Sequence, residues 1–215
     1  NTNVLPIDVF EALYARKDEY IYYRTDHHWT SLGAYNAYNV AIQKMGFTAI
    51  AYSSYNIEHA NNEFLGTYHS KTLYDELLPD IIDIYSYTGG NTVTSCEVNS
   101  GKEVKTYNSI YFRDFLDKKD KYSTYLGINQ PALTIKTNLE SDKKLLVFKD
   151  SYANSFIIPL SIIFLVVLDG NAPASAYTSF PLTPRSLINP TTSLWTEVSS
   201  RYFFTSILLK SSRIV

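Results

Sequence analysis

The residues best suited to chemistry in this sequence lie in two short stretches far apart along the chain. Asp26 stands two residues before His28, so both side chains can point from one short turn toward a common partner. Ser151 is the candidate partner. A serine hydroxyl is a poor nucleophile at neutral pH, so it needs a base to take its proton and an acid to hold that base in the right tautomer. These three residue types together indicate acyl transfer.

Both stretches lie where a strand-like apolar run passes into a helical pattern. Residues 20–24 precede the first stretch, and residues 145–148 precede Ser151. In a parallel α/β sheet the carboxyl ends of the strands share one edge, so the two junctions can be neighbours in space. A helix beginning near Tyr152 would also turn its N-terminal amides toward the serine, where they could receive an oxyanion.

Periodicity and turn residues predict the remaining elements. Helical spacing is found over residues 7–16 and again, after a cap at Thr30 or Ser31, up to the residue before Gly46. Gly33, early in the second helix, would allow a close backbone approach. Alternating residues at 80–87 and 92–98 flank a Gly-Gly turn and predict a small β-hairpin insertion.

Composition narrows the functional classes. The 215 residues carry a net charge of −2, with 45% hydrophobic and 19% charged residues, which indicates a globular protein and offers no argument for nucleic-acid binding. The single cysteine, Cys96, excludes an intrachain disulfide, and no Cys/His spacing resembles a zinc site. We therefore expect Cys96 to be a buried structural thiol, and we expect no metal or other cofactor.

The last part of the chain differs in character from the rest. Residues 156–215 contain only six charged residues in 60 and show no clear periodicity beyond Asp169. A loop-rich lobe and a frame-shifted gene sequence both explain this change. We predict an α/β domain over residues 1–170, truncated at its N-terminus since the chain lacks an initial Met, followed by an irregular segment at 171–215.

Two pairs of motifs point to a known family. Residues 25–30 (TDHHWT) and 149–155 (KDSYANS), together with 64–67 (FLGT) and 125–131 (YLGINQP), resemble the DHHW family of bacterial proteins. That family is similar to the SGNH-type O-acetyltransferase domains of the alginate O-acetylation proteins. The resemblance implies a three-layer, SGNH-hydrolase-like (flavodoxin-like) α/β fold, with helices on both faces of the sheet.

The resemblance also implies roles for individual residues. Ser151 would be the nucleophile, His28 the general base and Asp26 the acid that orients it. The amides of Ser151 and Tyr152 would hold the oxyanion. Gly127 and Asn129 are candidates for further contacts with the oxyanion or the substrate. His27 and Trp29 would support the turn.

The function implied is that of a serine esterase or O-acetyltransferase. It would act outside the cytoplasm on cell-envelope or secreted carbohydrate, through an acyl-serine intermediate, with an acyl donor and an envelope acetylation machinery as partners. One alternative is an inactive domain of the same fold that binds a glycan or a partner protein, since the C-terminal segment departs from the family pattern. A second is a metal hydrolase built on His27 and His28.

Overall fold

The protein has a mixed α/β architecture. The computed structural model describes residues 6–72, 76–140, 144–147, 149–164, 167–168 and 207–210. The irregular segment expected at 171–215 therefore lies outside the described residues except for 207–210, and the division at residue 170 stays a prediction. The helices are α1 (Phe10–Tyr14), α2 (Ser31–Lys44), α3 (Thr67–Thr72) and α4 (Ala153–Ser161), and the strands are β1 (Tyr55–Phe64), β2 (Asp80–Tyr87), β3 (Val93–Asn99), β4 (Val104–Tyr107), β5 (Ala132–Thr137), β6 (Lys144–Val147), β7 (Val167–Leu168) and β8 (Ile207–Lys210).

Within the described residues the strands form three small antiparallel sheets. β1 pairs with β2, a four-stranded sheet has the order β4-β3-β5-β7, and β6 pairs with β8. The sequence predicts the two functional stretches at one edge of a parallel sheet. The described strand pairs are all antiparallel, so a different set of contacts brings those stretches together.

The predicted hairpin has the right strands but the wrong pairing. β2 pairs with β1, whereas β3 pairs with β4 and β5. β1 was not predicted because its burial does not alternate. Of its ten residues only Tyr55 and Phe64 are buried, so the sequence carries no period-two pattern there.

The run at residues 20–24, predicted to be a strand, is one arm of a tight loop. Tyr22 forms an isolated antiparallel bridge with Trp29. The Tyr23 N–H donates to the His28 carbonyl at 3.2 Å, and the Thr30 N–H donates to the Ile21 carbonyl at 3.0 Å. The chain therefore reverses through residues 24–27, and its backbone groups bond across the loop.

The loop leads directly into α2, whose start follows the predicted pattern. The Thr30 hydroxyl caps the helix by accepting a hydrogen bond from the Gly33 N–H at 3.2 Å. Gly33 lies so close to the loop that a Cβ there would be 2.1 Å from the Ile21 carbonyl oxygen. The absence of a side chain at this position lets the helix pack against the loop that precedes it.

The core extends between α2 and α4. The large side chains that are almost fully buried include Trp29, Tyr38, Ile42, Ile157 and Leu160. Cys96 is also buried, as expected, and burial raises the pKa of its thiol to about 12. Among the described residues, the helices are too short or too polar for any of them to cross a membrane.

The close approach at Gly33 gives a stability test. We expect Gly33→Ala to lower the free energy of unfolding by about 3 kcal/mol, because the new methyl group must displace backbone. Gly46→Ala is the control, since a Cβ at Gly46 meets nothing within 4 Å and φ there is +83°. It should cost about 1 kcal/mol for the left-handed backbone alone. Urea unfolding measures both, and equal losses would contradict the steric argument.

Candidate active site

A continuous chain of hydrogen bonds joins the two predicted stretches. His28 Nδ1 lies 2.5 Å from Asp26 Oδ1, and His28 Nε2 lies 2.8 Å from Ser151 Oγ. Asp26 and His28 are buried, while Ser151 is partly exposed. With Nδ1–H donating to the carboxylate, Nε2 is left as an acceptor for the serine hydroxyl, and this is the arrangement needed to remove a proton from serine.

Asp26 is held by backbone donors as well as by the imidazole. Its Oδ1 accepts the His28 N–H at 3.0 Å, and its Oδ2 accepts the Thr67 N–H at 2.8 Å. Burial alone raises the pKa of Asp26, but the hydrogen bonds from His28 and Thr67 outweigh it, and the pKa lies well below its usual value. A Cβ at Gly66 would be 2.3 Å from the Asp26 Cβ, so glycine is needed there for this approach.

The Asp80 side chain fixes the loop that carries these groups. Asp80 is fully buried, and its carboxylate accepts the Arg24 N–H at 2.9 Å and the Thr25 N–H at 2.7 Å. The Thr25 and Tyr20 hydroxyls donate to the same carboxylate. Sequence reasoning missed this residue, because a single Asp at the start of a strand carries no local pattern that points 55 residues back along the chain.

Ser151 lies between β6 and α4, as the sequence predicted. The Tyr152 N–H, expected to hold an oxyanion, donates instead to Asp150 Oδ1 at 3.0 Å. For the Ser151 N–H, no acceptor is found among the described residues. The backbone amide of the serine itself is therefore a candidate oxyanion donor in this structure.

The two other predicted contact residues, Asn129 and Gly127, contact Lys149 and Phe112. Asn129 Oδ1 accepts a hydrogen bond from the Lys149 ammonium at 3.2 Å. The buried Lys149 also donates to Asn154 Oδ1 at 2.7 Å. Gly127 has φ +74° and lies over the Phe112 ring. These contacts join the loop at 127–129 to the nucleophile stretch through Lys149, and they do not include Ser151 Oγ.

His27 and Trp29 both support the site. The His27 Nδ1 lies 2.7 Å from Thr67 Oγ1, and its ring centroid is 3.9 Å from that of His28. Burial and the neighbouring His28 lower the pKa of His27. The Trp29 indole N–H reaches the Tyr152 carbonyl and Ser155 Oγ, both at 3.0 Å, so it connects the two stretches directly.

Tyr122 is a second site residue that the sequence did not reveal. Its ring is stacked on His28 with centroids 3.7 Å apart and an interplanar angle of 10°. Its hydroxyl donates to the Ser151 carbonyl at 3.0 Å. Tyr122 belongs to a short 3₁₀ helix, Lys121–Thr124, which follows a run of charged residues at 117–120 and carries no sequence motif.

Asp26, His27 and His28 are also the residues that could hold a metal ion, since their ligand atoms lie within 4.8 Å of one another. Both ring nitrogens of His28 are already engaged, however. The 2.5 Å between Nδ1 and Asp26 Oδ1 is a hydrogen-bond distance. Tetrahedral ligands of one zinc ion lie roughly 3.3 Å apart. The geometry therefore fits a carboxylate–imidazole pair better than a metal site.

Comparison with known proteins confirms the family that the sequence motifs predicted. The DHHW protein family matches residues 1–168. A DHHW family protein from Eubacterium siraeum DSM 15702 has a similar structure, with a TM-score of 0.67 and 31% identity, over 78% of this chain and 57% of its own. No curated protein matches this chain.

Bacillus cereus PatB1 also has a similar structure. Its structures with and without a sulfonyl adduct each have a TM-score of 0.62 and 24% identity over 79% of this chain. The match covers 60% of the PatB1 chain with the adduct and 61% of the chain without it. This likeness concerns the fold, and the chain spans only about three fifths of the length of these solved structures.

The bonds to Asp80 predict a large effect of removing its charge. We expect Asp80→Asn to lower the free energy of unfolding by about 3 kcal/mol, because an amide nitrogen cannot accept the hydrogen bonds that one carboxylate oxygen now receives. Asp18→Asn, at an exposed position, is the matched control and should change little. Urea unfolding distinguishes them, and equal stability of the two variants would contradict the anchoring role.

The lowered pKa of Asp26 predicts a pH-dependent contribution to stability. A carboxyl whose folded pKa lies below its unfolded value of 3.8 stabilises the fold above that value, and the contribution is lost as the pH falls through the folded pKa. The difference in unfolding free energy between wild type and Asp26→Asn should therefore be larger at pH 5 than at pH 3 and shrink below about pH 4. Urea titrations from pH 3 to pH 7 test this, and a pH-independent difference would refute it.

Proposed function

Because the chain belongs to the DHHW protein family, we propose that it is a serine-dependent esterase or O-acetyltransferase acting on cell-envelope or secreted carbohydrate. The observation that carries the proposal is the hydrogen-bond chain from Asp26 through His28 to Ser151, with 2.8 Å between His28 Nε2 and Ser151 Oγ. This distance lies within the reach expected of a nucleophile and its base.

Ser151 attacks first in the proposed reaction. His28 Nε2 takes the hydroxyl proton as Oγ bonds to the carbonyl carbon of an acyl donor, and the Ser151 N–H faces the resulting oxyanion. The tetrahedral intermediate collapses, the bond to the leaving oxygen breaks, and His28 gives that oxygen its proton. The products of this half-reaction are acyl-Ser151 and the free alcohol of the donor.

The second half-reaction repeats the same steps in reverse. His28 removes a proton from a sugar hydroxyl or from water, whose oxygen attacks the acyl carbon, and the proton returns to Ser151 Oγ as the ester bond breaks. Asp26 stays ionised at neutral pH because its pKa lies below the usual range, so it stabilises the imidazolium formed in both halves. The identity of the acceptor decides between esterase and transferase.

The setting of this chemistry is part of the proposal. A carbohydrate acceptor and an acyl donor outside the cytoplasm, with an envelope acetylation machinery as partner, suit an enzyme that needs no nucleotide or metal. We also propose a three-layer, SGNH-like sheet as the fold. The position of Ser151 between a buried strand and a helix supports this assignment, and a crystal structure in which β6 has parallel neighbours would confirm it.

One observation favours a second function, binding without catalysis. The Tyr152 N–H donates to Asp150 Oδ1, so one of the two expected oxyanion donors is engaged. A domain that holds a glycan or a partner protein needs no oxyanion donor. The two functions differ in whether Ser151 reacts.

The test is the reactivity of Ser151. We expect the wild-type protein to hydrolyse p-nitrophenyl acetate and to be covalently labelled by a sulfonyl fluoride, since both reagents need an activated hydroxyl. Ser151→Ala should lose at least about 10³-fold in turnover and all labelling, because its nucleophile is gone. Mass spectrometry of the labelled protein locates the adduct.

Ser161→Ala is the matched control. Ser161 is a buried serine of α4 that donates to the Ile158 carbonyl and should keep full activity when replaced. If wild type and Ser151→Ala react alike, the enzyme proposal fails and the binding domain is favoured. Activity that survives Ser151→Ala and is lost on addition of a chelator would favour the metal hydrolase.

A further inference from the structure

We infer that Tyr122 is a positioning residue that holds the His28 imidazole and the Ser151 backbone in the geometry needed for proton transfer. The inference rests on the proposed acyl transfer, since it assigns Tyr122 a part in that reaction. It goes beyond the motif residues because Tyr122 belongs to neither stretch and lies on a separate 3₁₀ helix.

The Tyr122 ring restricts the tilt of the His28 imidazole, which the two hydrogen bonds of that ring do not fix. Asp26 at Nδ1 and Ser151 at Nε2 fix the imidazole along its plane. The tilt of that plane is fixed by stacking, with ring centroids 3.7 Å apart and planes 10° apart. The His27 ring also lies close to His28, but it is tilted by 36°.

The Tyr122 hydroxyl bonds to the stretch that carries the nucleophile. It donates to the Ser151 carbonyl at 3.0 Å and lies 3.4 Å from Ser155 Oγ, which also accepts the Trp29 indole N–H at 3.0 Å. Burial raises the pKa of Tyr122 well above its usual value, so the phenol stays protonated and remains a donor at neutral pH. One side chain therefore contacts both the base and the peptide unit of the nucleophile.

The surroundings make this position rigid. The Tyr122 side chain is buried, and the rings of Tyr23 and Tyr125 meet it edge-on, with centroids at 6.3 and 5.3 Å. This packing restricts the movement of the Tyr122 side chain, and so also that of the His28 ring stacked on it. Since a displacement of about 1 Å between reacting groups can cost about 10²-fold in rate, a fixed tilt of His28 has a measurable kinetic value.

Two substitutions separate the ring from the hydroxyl. Tyr122→Phe keeps the stacked ring and loses the hydrogen bond to Ser151, and we expect kcat for p-nitrophenyl acetate to fall about 10-fold with little change in KM. Tyr122→Leu loses both contacts and should lower kcat about 100-fold. A partial recovery from Leu to Phe is the sign that the ring itself positions His28.

Tyr125 provides the matched control. It is equally buried and its ring contacts Tyr122, but its hydroxyl bonds to Ser31, Tyr23 and the Asp83 carbonyl, away from His28 and Ser151. Tyr125→Phe keeps the ring that packs on Tyr122, so it should lower Tm as much as Tyr122→Phe does and leave kcat within about 2-fold of wild type. Equal losses of kcat in Tyr122→Phe and Tyr125→Phe would overturn the inference, leaving Tyr122 as a core residue only.

A second readout does not depend on turnover. The proton between His28 Nδ1 and Asp26 should give a downfield ¹H resonance in wild type, which shifts or broadens in Tyr122→Leu and is unchanged in Tyr125→Phe. If that resonance is unchanged in both, the positioning role is refuted. If Ser151 of the wild type does not react at all, the proposed function fails, and the resonance still decides the role of Tyr122. Should Tyr122→Leu not fold, Tyr122→Phe decides, and wild-type kcat in that variant counts against the inference.

Discussion

The buried carboxylate of Asp80 is the interaction on which the geometry of the site depends. A charge removed from water is costly unless hydrogen bonds replace its solvation, and here the Arg24 and Thr25 amides and two hydroxyls do so. Asp80 begins β2 and pairs with Phe64, the last residue of β1. The end of this two-stranded sheet therefore holds the loop that carries Asp26 and His28.

The chain that leaves the same end of the sheet also contacts the carboxylate of Asp26. Gly66 and Thr67 lie two and three residues after the end of β1, and they give Asp26 a close backbone approach and an N–H bond to Oδ2. The nucleophile side is built separately, from β6 and α4. Side chains join the two halves, with Trp29 and Tyr122 each bonded to the Ser151–Ser155 stretch. Packing of α2 on α4 supports these contacts from within the core.

Sequence patterns predicted the structural features that depend on residues close together in the chain. The Thr30 cap and the start of a helix after Ser151 follow from residues within one turn of each other, and the close approach at Gly33 involves Ile21, twelve residues earlier in the chain. The pairing of β1 with β2 was not predicted, because only the two end residues of β1 are buried and its pattern is irregular. Asp80 and Tyr122 act on residues far away in the chain, and nothing beside them in the sequence marks that action. The meeting of His28 with Ser151 was predicted from two strand-to-helix junctions at one edge of a parallel sheet, whereas the described strand pairs are antiparallel.

Tyr152 connects the two halves in a way that bears on motion. Its hydroxyl donates to the His27 carbonyl, and its own carbonyl accepts the Trp29 indole N–H, so the residue after the nucleophile is tied on both sides to the residues that flank the base. We therefore expect the distance between His28 Nε2 and Ser151 Oγ to be maintained when either stretch moves, because Tyr152 transmits a displacement of one stretch to the other.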